Sequence, residues 1–207
     1  MLTEFFEFGG IKGMNICVYG SSSEHIAEIY KEESEKFGEV IAKKGWGLVF
    51  GAGKYGLMGA VSRGALKGNC KNIIGVVPDF FKGRGVLAEY CTELVFTETM
   101  RQRKQYMEDH SQAFVMLPGG IGTYDEFFEM ITLKQLGRHE KPIIIYNING
   151  FFDPMFEMLN HAIKEKYMTE HVLKLVSVVN SASEAVSAIE NYTPDMYDKY
   201  DVFSQNK

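Results

Sequence analysis

The sequence has few of the features that would place a protein outside the cytoplasm. Its three cysteines, Cys17, Cys70 and Cys91, include no close pair, and such a set is typical of buried thiols in a reducing compartment. No apolar run approaches the roughly 18 residues that a membrane-spanning helix needs. The N-terminus carries Glu4 and Glu7 and lacks the basic segment of a secretory signal. We therefore expect a cytoplasmic protein that does not associate with membranes.

Positive charge is also in short supply. The 22 Lys and Arg residues against 27 Asp and Glu give a formal net charge of -5, whereas nucleic-acid binding depends on neutralising phosphates with basic side chains. None of the five histidines stands at metal-ligand spacing from a cysteine or a second histidine. We expect no nucleic-acid groove, no metal and no cofactor.

Short apolar runs alternate with amphipathic stretches along most of the 207 residues. We predict strands at residues 15–19, 47–50, 72–77, 93–96, 113–117, 142–146 and 175–179, and helices at about 24–44, 59–67, 99–110, 127–136, 153–165 and 183–191. This alternation indicates an α/β fold, a Rossmann-like doubly wound parallel sheet with helices on both faces. The single domain spans residues 14–191, between an irregular lead-in at 1–13 and a polar tail at 192–207.

Three turns rich in glycine or serine follow predicted strands, at residues 20–22, 51–59 and 118–123. Since ligands of doubly wound sheets bind beyond the carboxyl ends of the strands, we expect these turns to meet at one edge. The third turn leads into a helix whose free amides and dipole favour a phosphate. Thr123 can cap that helix or donate its hydroxyl to the anion, and Glu126 lies about one turn into the helix.

The second turn matches the dinucleotide fingerprint in its letters, with Gly51, Gly53 and Gly56 at the required spacing. The acidic residue that should bind a ribose would be Asp79, although it follows Pro78 in a loop. Three interpretations stay open at this point: a nicotinamide or flavin site, tight packing of a helix on the sheet, or one wall of a smaller nucleotide site.

Two cations lie on an apolar stripe of the helix before the third turn. Met100, Arg103, Lys104 and Met107 share one helical face. A buried arginine needs a partner, because unpaired burial of charge is costly. That partner is either a structural carboxylate or a substrate phosphate together with Glu126.

Taken together, these motifs resemble the LONELY GUY family of cytokinin riboside 5'-monophosphate phosphoribohydrolases, long labelled lysine decarboxylases. The resemblance rests on Pro118-Gly119-Gly120-x-Gly122-Thr123-x-x-Glu126 with Arg103-Lys104 before it, and covers about residues 14–180. It implies that Arg103 and Glu126 form the catalytic pair. The substrate and phosphate residues that it implies are Gly20, Ser21, Ser22, Met100, Lys104, Pro118, Gly119, Gly120, Gly122 and Thr123.

The implied reaction is hydrolysis of the N-glycosidic bond of a nucleoside 5'-monophosphate such as AMP, giving free base and ribose 5-phosphate. Such cleavage passes through an oxocarbenium-like state that a fixed carboxylate can stabilise. The resemblance also implies a homodimer, and the helices that begin near Thr99 and Glu126 are apolar on more than one side. A nucleotide-binding module without catalysis and a nicotinamide enzyme are the alternatives.

The sequence departs from the family pattern at two places. Arg101-Gln102 stands where the family usually has His-Glu, and Ala52 stands where it usually has a glycine. The first departure bears on recognition of the base, and the second on the shape of the second turn.

Overall fold

The computed structural model describes residues 13–194 and has a seven-stranded, all-parallel sheet. The strands are β1 Asn15–Tyr19, β2 Gly47–Phe50, β3 Ile73–Pro78, β4 Glu93–Thr97, β5 Ala113–Met116, β6 Ile143–Tyr146 and β7 Ser177–Val179. The helices are α1 Glu28–Lys43, α2 Gly56–Lys67, α3 Met100–Asp109, α4 Ile121–Gln135, α5 Asp153–Lys164, α6 His171–Lys174 and α7 Ala182–Glu190. The predicted fold class is confirmed, whereas the predicted lead-in and tail lie almost wholly outside the described residues.

Three helices begin at places that differ from the prediction, and one of them is α2, which begins at Gly56 rather than near residue 59. The first predicted helix was expected from residue 24, but α1 begins at Glu28, because serine side chains accept hydrogen bonds from the backbone amides of Ser23 and His25 and hold a turn there. The helix whose apolar periodicity was predicted from residue 127, with Thr123 as a possible cap, begins at Ile121 instead, and its N-cap is Gly120. Glycine weakens a helix interior but is tolerated in its first turn. The short helix α6 was not predicted.

The strand order β4-β3-β2-β1-β5-β6-β7 changes direction at β1. Strands β1 to β4 lie side by side in chain order, and the chain then crosses back so that β5 pairs with the other edge of β1. Val18 pairs with Phe50 of β2, and Tyr19 pairs with Met116 of β5, so all three strands end at one level. The turns that follow them therefore meet at the switch point, where doubly wound sheets bind ligands.

Helices cover both faces of the sheet and bury two apolar layers. Phe37 and Leu57 belong to the layer under α1, α2 and α7, and Met107 and Phe127 to the layer under α3, α4 and α5. Each such side chain stabilises the fold by about 1.5–3 kcal/mol when fully buried. The helices α1 and α2 come so close that a Cβ at Gly64 would lie 1.8 Å from the carbonyl oxygen of Glu35. Glycine at this contact is therefore a packing requirement.

The described part of the chain offers little redox or metal chemistry. Cys17, Cys70 and Cys91 are free thiols, and burial raises the pKa of Cys17 to about 12 and that of Cys91 to about 11. Burial lowers the pKa of His139 to about 4, so its neutral ring donates from Nε2 to the Met130 carbonyl at 3.0 Å. Among residues 13–194 no three His, Cys, Asp or Glu side chains converge as a metal site, and none of the helices there combines the length and the apolar character that a membrane-spanning segment requires.

Candidate active site

A cavity of about 530 Å³ opens at the carboxyl edge of the sheet, between the turns after β1, β2, β3 and β5. Nine of the twelve predicted site residues line it: Gly20, Ser21, Ser22, Met100, Arg103, Gly120, Gly122, Thr123 and Glu126. The three turns thus converge as the sheet topology requires. Lys104, Pro118 and Gly119 do not line the cavity.

A buried ion pair forms the floor of this cavity. Arg103 Nη1 donates to Glu126 Oε1 at 2.5 Å, and Arg103 Nε donates to the Val76 carbonyl of β3 at 3.1 Å. Arg103 is 8% exposed and Glu126 7%. The partner of the buried arginine is therefore a carboxylate, and that carboxylate belongs to Glu126. The remaining guanidinium nitrogen, Nη2, is left for other contacts.

The electrostatics of the pair make Glu126 sensitive to its neighbour. Burial raises the pKa of Glu126, because a charged carboxylate loses its hydration, and the Arg103 guanidinium opposes that rise. Withdrawal of Arg103 would leave an uncompensated charge in an apolar environment. The ionised state of Glu126 thus depends on the position of one guanidinium.

The helix that carries Arg103 is fixed at its N-terminus by a capping box. The Thr99 hydroxyl accepts from the Gln102 amide at 3.2 Å, and Gln102 Oε1 accepts from the Thr99 amide at 3.1 Å and from the Glu98 amide at 2.9 Å. Gln102 is therefore the third residue of the capped turn, a position that suits Gln and Glu alike. Its departure from the family pattern leaves the start of α3 intact.

The N-terminus of α4 faces the cavity without a cap. Gly120 is the N-cap and has no side chain to offer, and the amides of Ile121, Gly122 and Thr123 have no acceptor among the described residues. A Cβ at Gly120 or Gly122 would meet nothing within 4 Å. Free amides at the positive end of a 15-residue helix, with open space before them, form a seat for an anion.

The N-terminus of α2, which carries the fingerprint glycines, is by contrast already occupied. The Gly56 amide donates to Glu24 Oε1 at 3.0 Å, and the Leu57 amide donates to the Ser21 carbonyl at 2.8 Å. Gly56 has φ +58°, and a Cβ there would lie 2.5 Å from the Ser21 oxygen. This turn therefore packs against the turn after β1, and the amides of the first turn of α2 are bonded within the described residues, so they do not offer a binding site for a dinucleotide pyrophosphate.

The acidic residue considered for a cofactor ribose is also engaged. Asp79 begins a short 3-10 turn after β3 and pairs with Lys82 at 2.6 Å. Of the three interpretations of the second turn, packing of a helix on the sheet and a wall of a smaller nucleotide site fit the geometry together.

The predicted site residues that do not line the cavity support it from outside. Lys104 pairs with Asp125 at 3.0 Å and with Glu129, across the outer faces of α3 and α4. The Pro118 carbonyl accepts from the Ser21 amide at 3.0 Å and joins two of the turns. A Cβ at Gly119 would lie 2.1 Å from Thr123 Oγ1, so this glycine lets the turn close on Thr123. The phosphate role expected of Lys104 stays a prediction.

Sequence reasoning missed the apolar wall of the cavity, which is formed by Tyr55, Met58, Phe81, Val86 and Leu87. For residues 79–91 the sequence predicted only a loose connection between two strands. Backbone pairing brings them in, because the Lys54 amide donates to the Val86 carbonyl at 2.9 Å and Gly53 bridges to Leu87. Phe81 lies shortly before Gly83, and Val86 and Leu87 follow Gly85 directly, so this cluster of apolar residues on both sides of a glycine pair was the signal that could have found the wall.

Comparison with known proteins supplies a family. Residues 58–189, more than half of the chain, match a family model described as "Possible lysine decarboxylase". The cytokinin riboside 5'-monophosphate phosphoribohydrolase LOG of Oryza sativa subsp. japonica is 35% identical over 180 residues, covering 87% of this chain and 74% of that protein. The cytokinin riboside 5'-monophosphate phosphoribohydrolase LOG1 of Arabidopsis thaliana is 34% identical over 183 residues, covering 88% and 85%.

Solved structures agree on the fold. The Moco carrier protein from Chlamydomonas reinhardtii superposes with a TM-score of 0.64 at 22% identity, covering 86% of this chain and 96% of that chain. The molybdenum cofactor binding protein from Rippkaea orientalis has a TM-score of 0.64 at 18% identity, covering 86% and 94%. At such identities the likeness extends to the architecture alone.

The anion seat at α4 predicts the effect of one added charge. Gly122→Asp places a carboxylate at the second residue of α4, where the open space admits the side chain, and it should repel a bound phosphate. We expect binding of ribose 5-phosphate, measured by titration calorimetry, to weaken by at least about tenfold.

The matched control is Ser183→Asp, which adds the same charge at the second residue of α7, an exposed helix start away from the cavity. This variant should bind ribose 5-phosphate like the parent. Equal binding by Gly122→Asp and Ser183→Asp would contradict the assignment of the anion to α4.

Proposed function

The chain belongs to the LONELY GUY family, and on this premise we propose that it hydrolyses the N-glycosidic bond of nucleoside 5'-monophosphates such as AMP. The products are the free base and ribose 5-phosphate. The observation that carries the proposal is the buried Arg103–Glu126 pair beside the uncapped N-terminus of α4. The phosphate-binding start of α4 and the Glu126 carboxylate lie about one helical turn apart. This arrangement suits a substrate whose sugar lies between its phosphate and its base.

The cavity divides into parts that match the parts of such a substrate. The amides of Gly122 and Thr123, with the Thr123 hydroxyl, would bind the phosphate. The apolar wall that includes Tyr55 and Phe81 would contact the flat base. Phosphate binding then supplies remote energy that positions the ribose over Glu126.

In the reaction the bond from ribose C1' to the base nitrogen breaks, and its electron pair leaves with the base. The ribose becomes oxocarbenium-like, and the Glu126 carboxylate stabilises its positive charge. Water attacks C1', one of its protons passes to the departing base, and its oxygen stays on the sugar. Arg103 keeps Glu126 ionised and in place, since its guanidinium suits paired oxygen contacts.

A module that binds nucleotides without catalysis is the weaker candidate. Such a module needs the amides of α4, but it does not need a carboxylate buried beside an anion, which would oppose binding. A nicotinamide enzyme is disfavoured for a different reason, because the amides at the start of α2 are already bonded to Ser21 and Glu24.

The phosphate-anchored reaction makes AMP a far better substrate than adenosine. Without the phosphate the contact with α4 is lost, so we expect kcat/KM for adenosine to be lower by at least about a hundredfold, a loss typical of remote binding energy. Chromatography of free adenine after incubation with each compound measures this. Equal turnover of the two would refute the mechanism.

Replacement of Glu126 separates catalysis from binding. Glu126→Gln keeps the size but removes the charge, so turnover of AMP should fall on the order of a hundredfold or more, while AMP binding is retained or tightened. Arg103→Ala removes the cation that both Glu126 and the substrate phosphate need, so affinity and turnover should fall together. Calorimetry and adenine release, run on both variants, distinguish these signatures, and a Glu126→Gln protein with parental turnover would rule out the catalytic role.

We also propose a homodimer, and the cytoplasmic location stays a prediction. Met100 on α3, Ile121 at the start of α4 and Leu136 just after its end expose apolar side chains, and Ile121 is 86% exposed. A second copy would cover such a surface. Light scattering at micromolar concentration should give twice the monomer mass of 23.4 kDa, and a monomeric mass would contradict the assembly.

A further inference from the structure

We propose that Gly51 is a positioning residue, which leaves room for the Arg103 guanidinium and thereby holds the Arg103–Glu126 pair in place. Gly51 follows directly after β2 and lines the cavity. This inference rests on the proposed function for its catalytic consequence, but its structural part stands on the contacts of Gly51 alone.

The space at Gly51 is filled by the arginine. A Cβ built on Gly51 would lie 2.4 Å from Arg103 Nη2 and 3.0 Å from Met58 Sδ. Carbon and nitrogen at 2.4 Å overlap severely, because non-bonded heavy atoms prefer about 3.5–4 Å. Any residue with a side chain at position 51 therefore displaces Arg103 or the strand end.

The backbone conformation at position 51 does not require glycine. Gly51 is absent from the residues with positive φ, whereas the next residue, Ala52, has φ 56°. The chain thus carries alanine where the backbone torsion favours glycine, and glycine where the torsion admits alanine. The requirement at position 51 is one of space, and the atom that sets it is Arg103 Nη2.

Two hydrogen bonds hold the Arg103 guanidinium in its position beside Gly51. Its Nε is bonded to the Val76 carbonyl at 3.1 Å and its Nη1 to Glu126 at 2.5 Å, so retreat from a new Cβ breaks or stretches one of these contacts. The strand end is also held, since Phe50 pairs with Gly75 and the Ala52 carbonyl accepts from the Ala88 amide at 2.8 Å. Displacement therefore falls on the ion pair.

A displaced Arg103 changes how Glu126 titrates. Burial raises the pKa of Glu126 and Arg103 lowers it, so a more distant guanidinium lets the pKa rise further. If the ionised carboxylate is the active form, activity is lost as pH falls through that pKa. The acidic limb of the pH profile must then move to higher pH.

The test is Gly51→Ala, assayed for adenine release from AMP across pH. We expect kcat to fall about tenfold or more, with the acidic limb of the kcat profile shifted upward by about one pH unit. The matched control is Gly47→Ala at the opposite end of β2, where a Cβ would lie 2.2 Å from Asn15 Oδ1. That variant is crowded in the same way, yet its pH profile should stay parental. Parental kcat in Gly51→Ala, or a lowered kcat with an unmoved limb, would overturn the proposal.

A second experiment measures stability instead of activity, so it remains informative if Gly51→Ala is less stable than the parent. Arg103→Lys lacks the Nη2 atom, so Gly51→Ala should lower the urea midpoint in the parent background but leave it nearly unchanged in the Arg103→Lys background. An equal loss in both backgrounds, or a double variant that fails to fold, would overturn the positioning role. If the parent releases no base but this coupling is present, the proposed function fails and the positioning of Arg103 by Gly51 survives.

Discussion

The buried ion pair between Arg103 and Glu126 is the constraint on which the site depends. Removing one partner of such a pair costs about 3–5 kcal/mol, because it leaves a charge without water or counterion. The fold meets this constraint by converging three elements on one point: α3 brings the arginine, α4 the glutamate, and β3 the Val76 carbonyl that holds the guanidinium. The switch in strand order beside β1 makes that convergence possible.

The same edge of the sheet carries two glycine-rich helix starts that look alike in the sequence and differ in chemistry. The amides at the start of α2 are bonded within the protein, to Ser21 and Glu24, whereas those at the start of α4 are unbonded among the described residues. An anion can therefore bind only one of the two. An anion bound at the start of α4 would lie beside Glu126, whereas the start of α2 is occupied by packing contacts within the protein.

Much of this arrangement could be predicted because it depends on local pattern. Alternation of apolar runs predicts the strands, and the spacing of residues 118–126 predicts a carboxylate one turn beyond an anion seat. Contacts between distant segments escaped prediction. Arg103 and Lys104 share a stripe by spacing, but adjacent residues point about 100° apart on a helix, so Arg103 turns inward and Lys104 outward to Asp125. The apolar residues around Gly83 and Gly85 are visible in the sequence, but the pairing of the residue 86–88 segment with the second turn, which makes them a wall of the cavity, is a contact between distant segments.

Gln102, which stands where the family usually has glutamate, bears on how a base is recognised. Capping of α3 and a contact with the base would both use the Gln102 Oε1 atom. This oxygen already accepts hydrogen bonds from the backbone amides of Glu98 and Thr99. Its Nε2 points back to the Glu98 carboxylate at 3.5 Å. Because this side chain is committed to the helix cap, it is not available to a ligand. We therefore propose that selection among bases depends on the apolar wall, where Phe81 and Leu87 would favour a base by its shape and apolar surface.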